Sequence, residues 1–227
     1  MRQARAAITL TRTVRSPKRP WLVLAIAVAV VALPAVASGA LSAPAAPSAG
    51  TQTYQDSSGE NPAAPDISTI TVSNDDAATI TFRVNVTNRP QYASDILGLL
   101  FIDSDANQAT GDQDNFGTDY VIQLAQGEVL LFKWDGSDYT LSATQASLNY
   151  AWANGPTFRI NAADLGNTRK FTFNVLLIAG ATFDPTTGAL DCTNCAADGA
   201  PAVGLYTYQL QITKPTLIVK SLKPTPA

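Results

Sequence analysis

Apolar and polar residues alternate over much of the chain from residue 67 onward. The stretch ITFRVNV places Ile80, Phe82 and Val84 on one side of the backbone and Thr81 and Arg83 on the other. The same period of two residues returns in FTFNVLL (171–177) and in LYTYQLQI (205–212). Successive side chains of a β-strand point to opposite faces of a sheet, so this period predicts strands with one buried face.

The remaining pattern predicts an all-β fold. The segment 96–102 (ILGLLFI) is apolar at both alternating positions, which predicts a strand inside a sheet. Residues 161–165 are the one plausible helical turn, and pairs such as Gln126-Gly127 and Asp135-Gly136 mark turns between strands. About nine short strands with almost no helical pattern predict an antiparallel β-sandwich. The predicted strands are 67–72, 80–86, 96–102, 120–124, 129–134, 139–141, 157–160, 171–177 and 206–212.

The first 37 residues have a different character. Six Lys and Arg residues up to position 19 precede an almost wholly apolar run that begins at Trp21, and PAVA (34–37) ends this run with small side chains. This order is typical of a secretory signal peptide. The apolar run is at the short limit for a membrane-spanning helix, so a retained anchor is the alternative. We predict cleavage after the run, a transient contact with the membrane and a secreted or cell-surface protein.

Composition divides the rest of the chain. Residues 38–50 are rich in Ala, Pro and Ser without any period, and we predict a disordered linker over 38–55. The sandwich domain is predicted over 56–214. Residues 215–227 are predicted to be a C-terminal tail, with an edge strand at its start as one interpretation.

The charge of the chain argues against nucleic acid as a partner. The chain has 15 Lys and Arg, 18 Asp and Glu and no histidine. Removal of the signal peptide leaves nine Lys and Arg against eighteen Asp and Glu. Binding to nucleic acid requires clustered cationic side chains, so nucleic acid is not expected as a partner.

The two cysteines lie close together in the sequence DCTNCAADG. Cys192 and Cys195 have the spacing of a redox motif, but no helical pattern follows them, and a redox pair is expected at a helix N-terminus. The predicted export implies an oxidising compartment. We therefore predict a small structural disulfide rather than a catalytic dithiol.

The absence of histidine restricts the chemistry of any site. A Ser-His-Asp triad and zinc or haem sites with histidine ligands are excluded. Met1, the one methionine, belongs to the predicted signal peptide, and two cysteines cannot complete a four-thiolate site. Oxygen ligands remain, and these suit hard cations such as calcium.

The loop FIDSDANQATGDQDNFGTDYVI (101–122) carries the candidate calcium ligands. Asp103, Asp105 and Asn107 stand at positions 1, 3 and 5 of a loop in which Ala109, at position 7, offers a backbone carbonyl and Asp114 stands at position 12. Calcium takes six to eight oxygen ligands, which alternating side chains in a tight loop can supply.

This loop is not an EF-hand, since a strand precedes it and Gln108 stands where that motif requires glycine. Asp112 and Asp119 are further candidate ligands. The alternative is a solvated Asp/Asn-rich hairpin turn. We favour calcium as the cofactor, because so many carboxylates in one short loop repel one another.

Two other features suggest a sugar ligand. Tyr139, Tyr150 and Trp152 flank predicted turns, where exposed aromatic rings can stack on sugar rings. A pair of carboxylates, such as Asp103 with Asp119 or Asp164 with another acid, could alternatively act as acid and base on a glycosidic bond. Nothing in the sequence fixes the separation of such a pair, so we do not predict an enzyme.

Several short motifs resemble bacterial exported domains of the DOMON-like and family 9 carbohydrate-binding-module-like type. They are DSSGE (56–60), PDI (65–67), ITFRVNV (80–86), LFIDSD (100–105), TG (110–111), GTDYV (117–121), FRI (158–160), DLG (164–166), DGAP (198–201) and YTY (206–208). The resemblance extends over roughly 56–213. It implies two antiparallel sheets, a calcium-stabilised loop, and a ligand face for sugars or, in some members, haem. A haem is not expected here, because the chain has no histidine and its one methionine belongs to the predicted signal peptide.

The sequence thus predicts an exported, non-catalytic, calcium-binding β-sandwich that binds a polysaccharide or cell-surface glycan. Two alternatives remain open at this stage. One is a structural or adhesive envelope protein without a soluble ligand. The other is a glycoside hydrolase that depends on paired carboxylates.

Overall fold

The computed structural model describes residues 50–184 and 189–213. The predicted signal peptide, most of the predicted linker and the predicted C-terminal tail lie outside these residues. Within the described part of the chain, no helix is long and apolar enough to cross a membrane. The elements are antiparallel β-strands and two short 3-10 helices, at Gln113–Asn115 and Ala162–Leu165. The second helix confirms the helical turn predicted at 161–165.

The described residues form fourteen strands. In chain order they are β1 (Gly50–Gln55), β2 (Ile67–Asn74), β3 (Thr79–Val86), β4 (Leu97–Asp103), β5 (Tyr120–Ala125), β6 (Glu128–Trp134), β7 (Tyr139–Leu141), β8 (Asn149–Trp152), β9 (Pro156–Asn161), β10 (Lys170–Ala179), β11 (Thr182–Phe183), β12 (Leu190–Asp191), β13 (Ala196–Ala200) and β14 (Tyr206–Gln209).

Two sheets build the sandwich. The first has the order β1-β2-β3-β9-β8, and the second has the order β13-β10-β4-β5-β6-β7, with β14 also paired to β10. All of these pairs are antiparallel. The central position of β4 between β10 and β5 confirms that the segment apolar at both alternating positions lies inside a sheet.

The core lies between the two sheets. Phe82 and Phe158 of the first sheet and Phe171 and Phe173 of the second are completely buried in one hydrophobic cluster. The ring centroids of Phe82 and Phe173 are 5.5 Å apart in an edge-to-face arrangement. Contact between the inward faces of two antiparallel sheets is the arrangement of a β-sandwich, as predicted.

All nine predicted strands are present, and five more were not predicted: β1, β8, β11, β12 and β13. The predicted linker over 38–55 is wrong for its last six residues, because Gly50–Gln55 forms β1 and pairs with β2 along its whole length. The sequence GTQTYQ has little apolar character because β1 is an edge strand in which four of six residues are exposed. Tyr54 alone supplies a large buried side chain there.

A disulfide joins Cys192 and Cys195, with an Sγ–Sγ distance of 2.01 Å, which confirms the predicted bond. It follows the short β11–β12 hairpin. Cys195 packs with Phe183 against Leu97 and Ile178, which are buried residues in a separate small cluster. The segment that contains the disulfide thus covers part of the second sheet.

Candidate metal centre

The acidic loop joins two neighbouring strands of the second sheet, β4 and β5. Asp103 is the last residue of β4, and Asp119 directly precedes β5. The backbone N–H of Asp119 donates to the carbonyl of Ile102 over 2.9 Å. The antiparallel pairing therefore brings the two ends of the loop, and the two carboxylates they carry, side by side.

Three carboxylates converge at this point. Asp103, Asp105 and Asp119 each place one oxygen within 4.8 Å of the other two. Asp103 is 2 % exposed, whereas Asp119 is half-buried and Asp105 is exposed. The group is therefore anchored in the sheet at one side and open to solvent at the other, which suits the entry of an ion from solution.

Hydrogen bonds hold Asp103 and Asp119 in place. Asp103 accepts from the N–H of Asn107 and from the hydroxyl of Thr172 on β10, each over 3.1 Å. One oxygen of Asp119 accepts from both the N–H and the hydroxyl of Ser104, over 2.9 and 2.7 Å. These contacts fix the orientation of both carboxylates without a metal ion.

Asp105 is held from within the loop. Its carboxylate accepts from the N–H of Asn107 over 2.9 Å and from the hydroxyl of Thr110, with the closer oxygen also at 2.9 Å. Asn107 thus donates one backbone N–H to two members of the group. It is therefore the backbone of Asn107, and not its side chain, that contacts the carboxylates of Asp103 and Asp105.

The convergence of carboxylates makes the ionised form of Asp103 less favourable. Burial raises the pKa of Asp103, and the neighbouring Asp105 carboxyl raises it further, while the hydrogen bonds from Asn107 and Thr172 act in the opposite direction. A carboxylate in such a place is stabilised by a positive charge nearby. A divalent cation between the three oxygens would supply that charge.

Two glycines allow the loop to fold back on itself. Gly111 has φ 62°, and a Cβ atom placed on it would lie 2.3 Å from the carbonyl oxygen of Gly117. Gly117 has φ 78°, and its Cβ would lie 2.5 Å from the Cα of Gln108. Both contacts are with backbone atoms, so glycine is required at each position.

The other predicted ligands in the loop have different positions. Asp112 caps the 3-10 helix and accepts from the N–H of Asp114 over 3.1 Å and from the side chain of Asn115 over 2.6 Å. Asp114 is exposed on that helix, and the side-chain oxygen of Asn107 accepts from the N–H of Ala109 over 3.2 Å. Among the described acidic residues, the group with metal-binding geometry contains neither Asp112 nor Asp114. Of the predicted ligands, Asp103 and Asp105 thus lie with Asp119, which was a further candidate, while Asp112 and Asp114 remain predictions outside this group.

The three predicted ligand-binding aromatics are not brought together. Tyr139 lies at the end of β6–β7 that adjoins the acidic loop, where its hydroxyl donates to Asp112 over 3.1 Å and its ring is 5.1 Å from that of Trp134. Burial, and then the charge of Asp112, raise the pKa of Tyr139. The hydroxyl of Tyr150 instead donates over 2.8 Å to the backbone carbonyl of Gly127, at the other end of β6. These ends are about 20 Å apart along the strand.

Tyr150 and Trp152 belong to a second aromatic group, centred on Tyr92. The ring of Tyr92 lies 6.4 Å from that of Tyr150 and 5.5 Å from that of Trp152, both edge-to-face. The indole N–H of Trp152 donates to the carbonyl of Arg89 over 3.1 Å. Tyr150 and Trp152, which were predicted to bind a ligand, thus pack β8 against neighbouring turns.

Sequence reasoning missed two aromatic residues. Tyr92 lies in a turn without strand periodicity, and its importance emerges from contacts with β8, which is distant in sequence. Phe116 is 48 % exposed and has φ 56°, which is an uncommon conformation for a bulky residue. Its place between Asn115 and Gly117 in a polar loop is the one sequence signal that could have identified an exposed ring.

Comparison with known proteins adds no assignment to this geometry. No protein-family model, curated protein or solved structure matches the chain. The resemblance to DOMON-like and carbohydrate-binding-module-like domains therefore stays a prediction from short motifs. Any functional assignment has to rest on the chemistry of the described residues.

Proposed function

We propose that this protein is an exported, non-catalytic β-sandwich domain that binds calcium at Asp103, Asp105 and Asp119. The observation that carries the proposal is the convergence of three carboxylates within 4.8 Å at the base of one hairpin. All the donors are oxygens, which calcium prefers. Calcium takes six to eight ligands, and backbone carbonyls and water complete such a shell in other proteins.

The bound ion acts as a structural element in this proposal. It removes the repulsion between the carboxylates and holds the long loop against β4 and β5. Because Asp103 is 2 % exposed, its carboxylate is poorly placed to reach the glycosidic bond of a polymer, which argues against a hydrolase built on Asp103 and Asp119. Export is supported by the charge and hydropathy of residues 1–37.

The ligand surface that we propose adjoins the calcium site. Tyr139 and Trp134 form a partly exposed aromatic pair there, and Phe116 is two residues from Thr118, whose carbonyl accepts from the Tyr139 hydroxyl over 3.4 Å. Aromatic faces next to carboxylates suit a glycan, since the rings stack on sugar C–H groups and the carboxylates accept from hydroxyls. The ion would fix the loop that presents Phe116.

Calorimetric titration with calcium tests the ion site directly. We expect calcium to bind to the wild-type protein and not to Asp119→Asn, a variant that keeps the shape of the side chain. The matched control is Asp114→Asn, in the same loop but outside the three-carboxylate group, which should bind like wild type. Loss of binding in Asp114→Asn with retention in Asp119→Asn would overturn this site in favour of the ligand set that sequence spacing suggests.

A glycan array in calcium tests the ligand. We expect a signal that falls with Phe116→Ala and with chelation of calcium, while Tyr150→Phe, at the distant aromatic group, leaves it unchanged. Absence of any glycan signal in the calcium-loaded protein would remove the sugar ligand and leave a calcium-stabilised structural domain.

A further inference from the structure

The first sheet differs in charge from the rest of this acidic protein. Its strands β1, β2, β3, β9 and β8 contain no Asp or Glu. The part of the chain that the structure describes nevertheless holds eighteen Asp and Glu against six Lys and Arg. The outward side of the first sheet is therefore a surface whose strands carry no negative charge.

Hydroxyl groups dominate this outward side. Buried positions alternate with exposed or half-buried positions along β3 and β9, and the latter point away from the core. Neighbouring hydroxyls meet there, since the side-chain oxygens of Thr53 in β1 and Thr71 in β2 are 3.1 Å apart. We call the middle of this surface the first-sheet face, and its residues are Thr53, Thr71, Thr81, Arg83, Thr157 and Arg159.

Two arginines lie side by side on the first-sheet face. The register of β3 with β9 places Arg83 opposite Thr157 and Arg159 opposite Thr81. The arginines are thus diagonal neighbours on one side of the sheet, a position in which Cα atoms are about 7 to 8 Å apart. Because β2 and β8 flank β3 and β9, the pair lies inside the sheet and not at its edge.

Neither of these arginines has a partner within the described residues. Both side chains are exposed, and no hydrogen bond or ion pair of the described part of the chain involves either guanidinium. Arg89 instead donates to two backbone carbonyl oxygens, and the ammonium group of Lys133 lies over the ring of Tyr120. The hydrogen-bond donors of Arg83 and Arg159 are thus free to bind a ligand.

The carboxylates at the end of the first sheet hold backbone atoms. In the turn between β2 and β3, Asp75 accepts from the N–H of Thr79 over 2.8 Å. Asp76 accepts from the N–H of Thr213 over 2.9 Å. The positive charge of the arginine pair is therefore left for an external anion. A guanidinium group suits a carboxylate in particular, because it can donate two parallel hydrogen bonds to it.

We propose that the first-sheet face binds an acidic polysaccharide, with Arg83 and Arg159 paired to carboxylates of its uronate units. Charge complementarity is the main argument, since the face offers two unpaired cations and its strands carry no competing carboxylate. The surrounding threonine hydroxyls can donate to and accept from the hydroxyls of sugars. This ligand surface is separate from the one beside the calcium site, which lies on the second sheet.

The shape of the face favours an extended polymer over a small anion. Sites for small molecules are concave, whereas this is the open side of a sheet about 20 Å wide. Nucleic acid is the competing polyanion. The aromatic side chains of the five strands face the core or pack around Tyr92, so the face offers no ring on which bases could stack.

Biolayer interferometry with immobilised polygalacturonate tests the proposal. We expect the wild-type protein to bind this polymer and not immobilised dextran, which is uncharged, and we expect raised salt to weaken the binding by screening. Chelator is present throughout, so that calcium cannot bridge the polymer to the acidic loop. The result is therefore independent of whether the protein binds calcium.

Substitutions of the two arginines locate the binding surface. Arg83→Gln and Arg159→Gln should weaken binding by about two- to fivefold each and by about tenfold together, as expected for exposed ion pairs. The matched control is the double variant Arg169→Gln/Lys170→Gln, which removes the same charge at the start of β10 in the second sheet and should bind like wild type. Equal losses in the two double variants would overturn the proposal, as would wild-type protein that does not bind polygalacturonate.

Two further measurements complete the test. Tighter binding of immobilised single-stranded DNA through the same arginines would overturn the polysaccharide in favour of nucleic acid. NMR of the wild-type protein keeps the proposal testable if a variant does not fold. Soluble fragments of polygalacturonate should shift the side-chain N–H signals of Arg83 and Arg159, and shifts confined to other residues would contradict the proposed face.

Discussion

The two acidic groups of this domain gather like charges in different ways. Asp103, Asp105 and Asp119 come from one loop between neighbouring strands, and their oxygens converge on a point that is open to solvent. The second group, Asp56, Glu60, Asp66 and Asp198, comes from the connection between β1 and β2 and from β13 of the other sheet, and Asp66 and Asp198 each accept a hydrogen bond from the backbone, over 2.7 Å. Convergent oxygens suit a divalent cation. The carboxylates of the second group instead hold backbone at separate places, so the same residue type has two different structural uses.

The largest effect that separates the two groups is expected from Asp105→Asn. Removal of one of three ligands should abolish a calcium-induced rise in Tm of about 5 to 10 °C. In chelator, the same variant should melt at or slightly above the wild-type temperature, because Asp105 raises the pKa of the buried Asp103. Thermal melting with calcium and with chelator measures both the calcium-induced shift and the Tm of the ion-free variant. A variant that keeps the full calcium shift would contradict the assignment of Asp105.

A pair of glycine variants compares the two loops. Gly111→Ala places a Cβ 2.3 Å from a backbone oxygen at φ 62°, and we expect a loss of about 2 kcal/mol, or about 4 to 8 °C in Tm. Gly59→Ala, in the loop between β1 and β2, has φ 84° but nothing within 4 Å of the new Cβ, so about 1 kcal/mol of backbone strain is expected. Equal losses in the two variants would show that the acidic loop is not closely packed.

A smaller effect of opposite sign is expected from Asp56→Asn. Burial and the charges of Asp198, Glu60 and Asp66 raise the pKa of Asp56, so without the charge of Asp56 the protein should be more stable at pH 7.5 by about 1 kcal/mol, after allowing for the solvent that reaches this side chain. This gain should disappear near pH 4, where wild-type Asp56 is itself protonated. Melting at the two pH values in chelator measures the difference. A destabilised variant at pH 7.5 would contradict a raised pKa of Asp56 in the folded protein.

The smallest effect is expected from Tyr139→Phe. Loss of the hydrogen bond to Asp112 should lower the stability by about 0.5 to 1 kcal/mol without changing calcium affinity, because Asp112 is outside the three-carboxylate group. Chemical denaturation measures the loss of stability, and calorimetry measures the calcium affinity. A large loss of calcium affinity would bring Asp112 back among the ligands.

The difference between the two groups also explains what the sequence could predict. Asp103, Asp105 and Asp119 lie within one short stretch, so their number alone suggested a cation site. The spacing of residues along the loop favoured Asp114 and Asn107 over Asp119 as ligands. It takes no account of the pairing of β4 with β5, which brings the two ends of the loop together. The second group lies in short motifs that the sequence analysis noted, at 56–60, 65–67 and 198–201, but the pairing of strands that places Asp198 beside Ile67 could not be predicted from them.

The strands show the same limit. β4 and β10 were predicted because buried positions alternate or run continuously along them. β1 was assigned to the linker because an edge strand that is mostly exposed has few apolar residues. β13, with the sequence AADGA, resembles a loop, and its pairing with β10 depends on a strand distant in sequence. Local pattern thus predicted the core of the sandwich and missed parts of its edges.

Thermal melting of the purified wild-type protein at pH 7.5, first in calcium at a hundredfold excess over its Kd and then in excess chelator, tests whether the three carboxylates bind calcium. A bound ion stabilises only the folded state, by about 2.7 kcal/mol at that excess. We expect chelation to lower Tm by about 5 to 10 °C and restored calcium to reverse the change. An identical Tm in calcium and in chelator would contradict a calcium site at Asp103, Asp105 and Asp119.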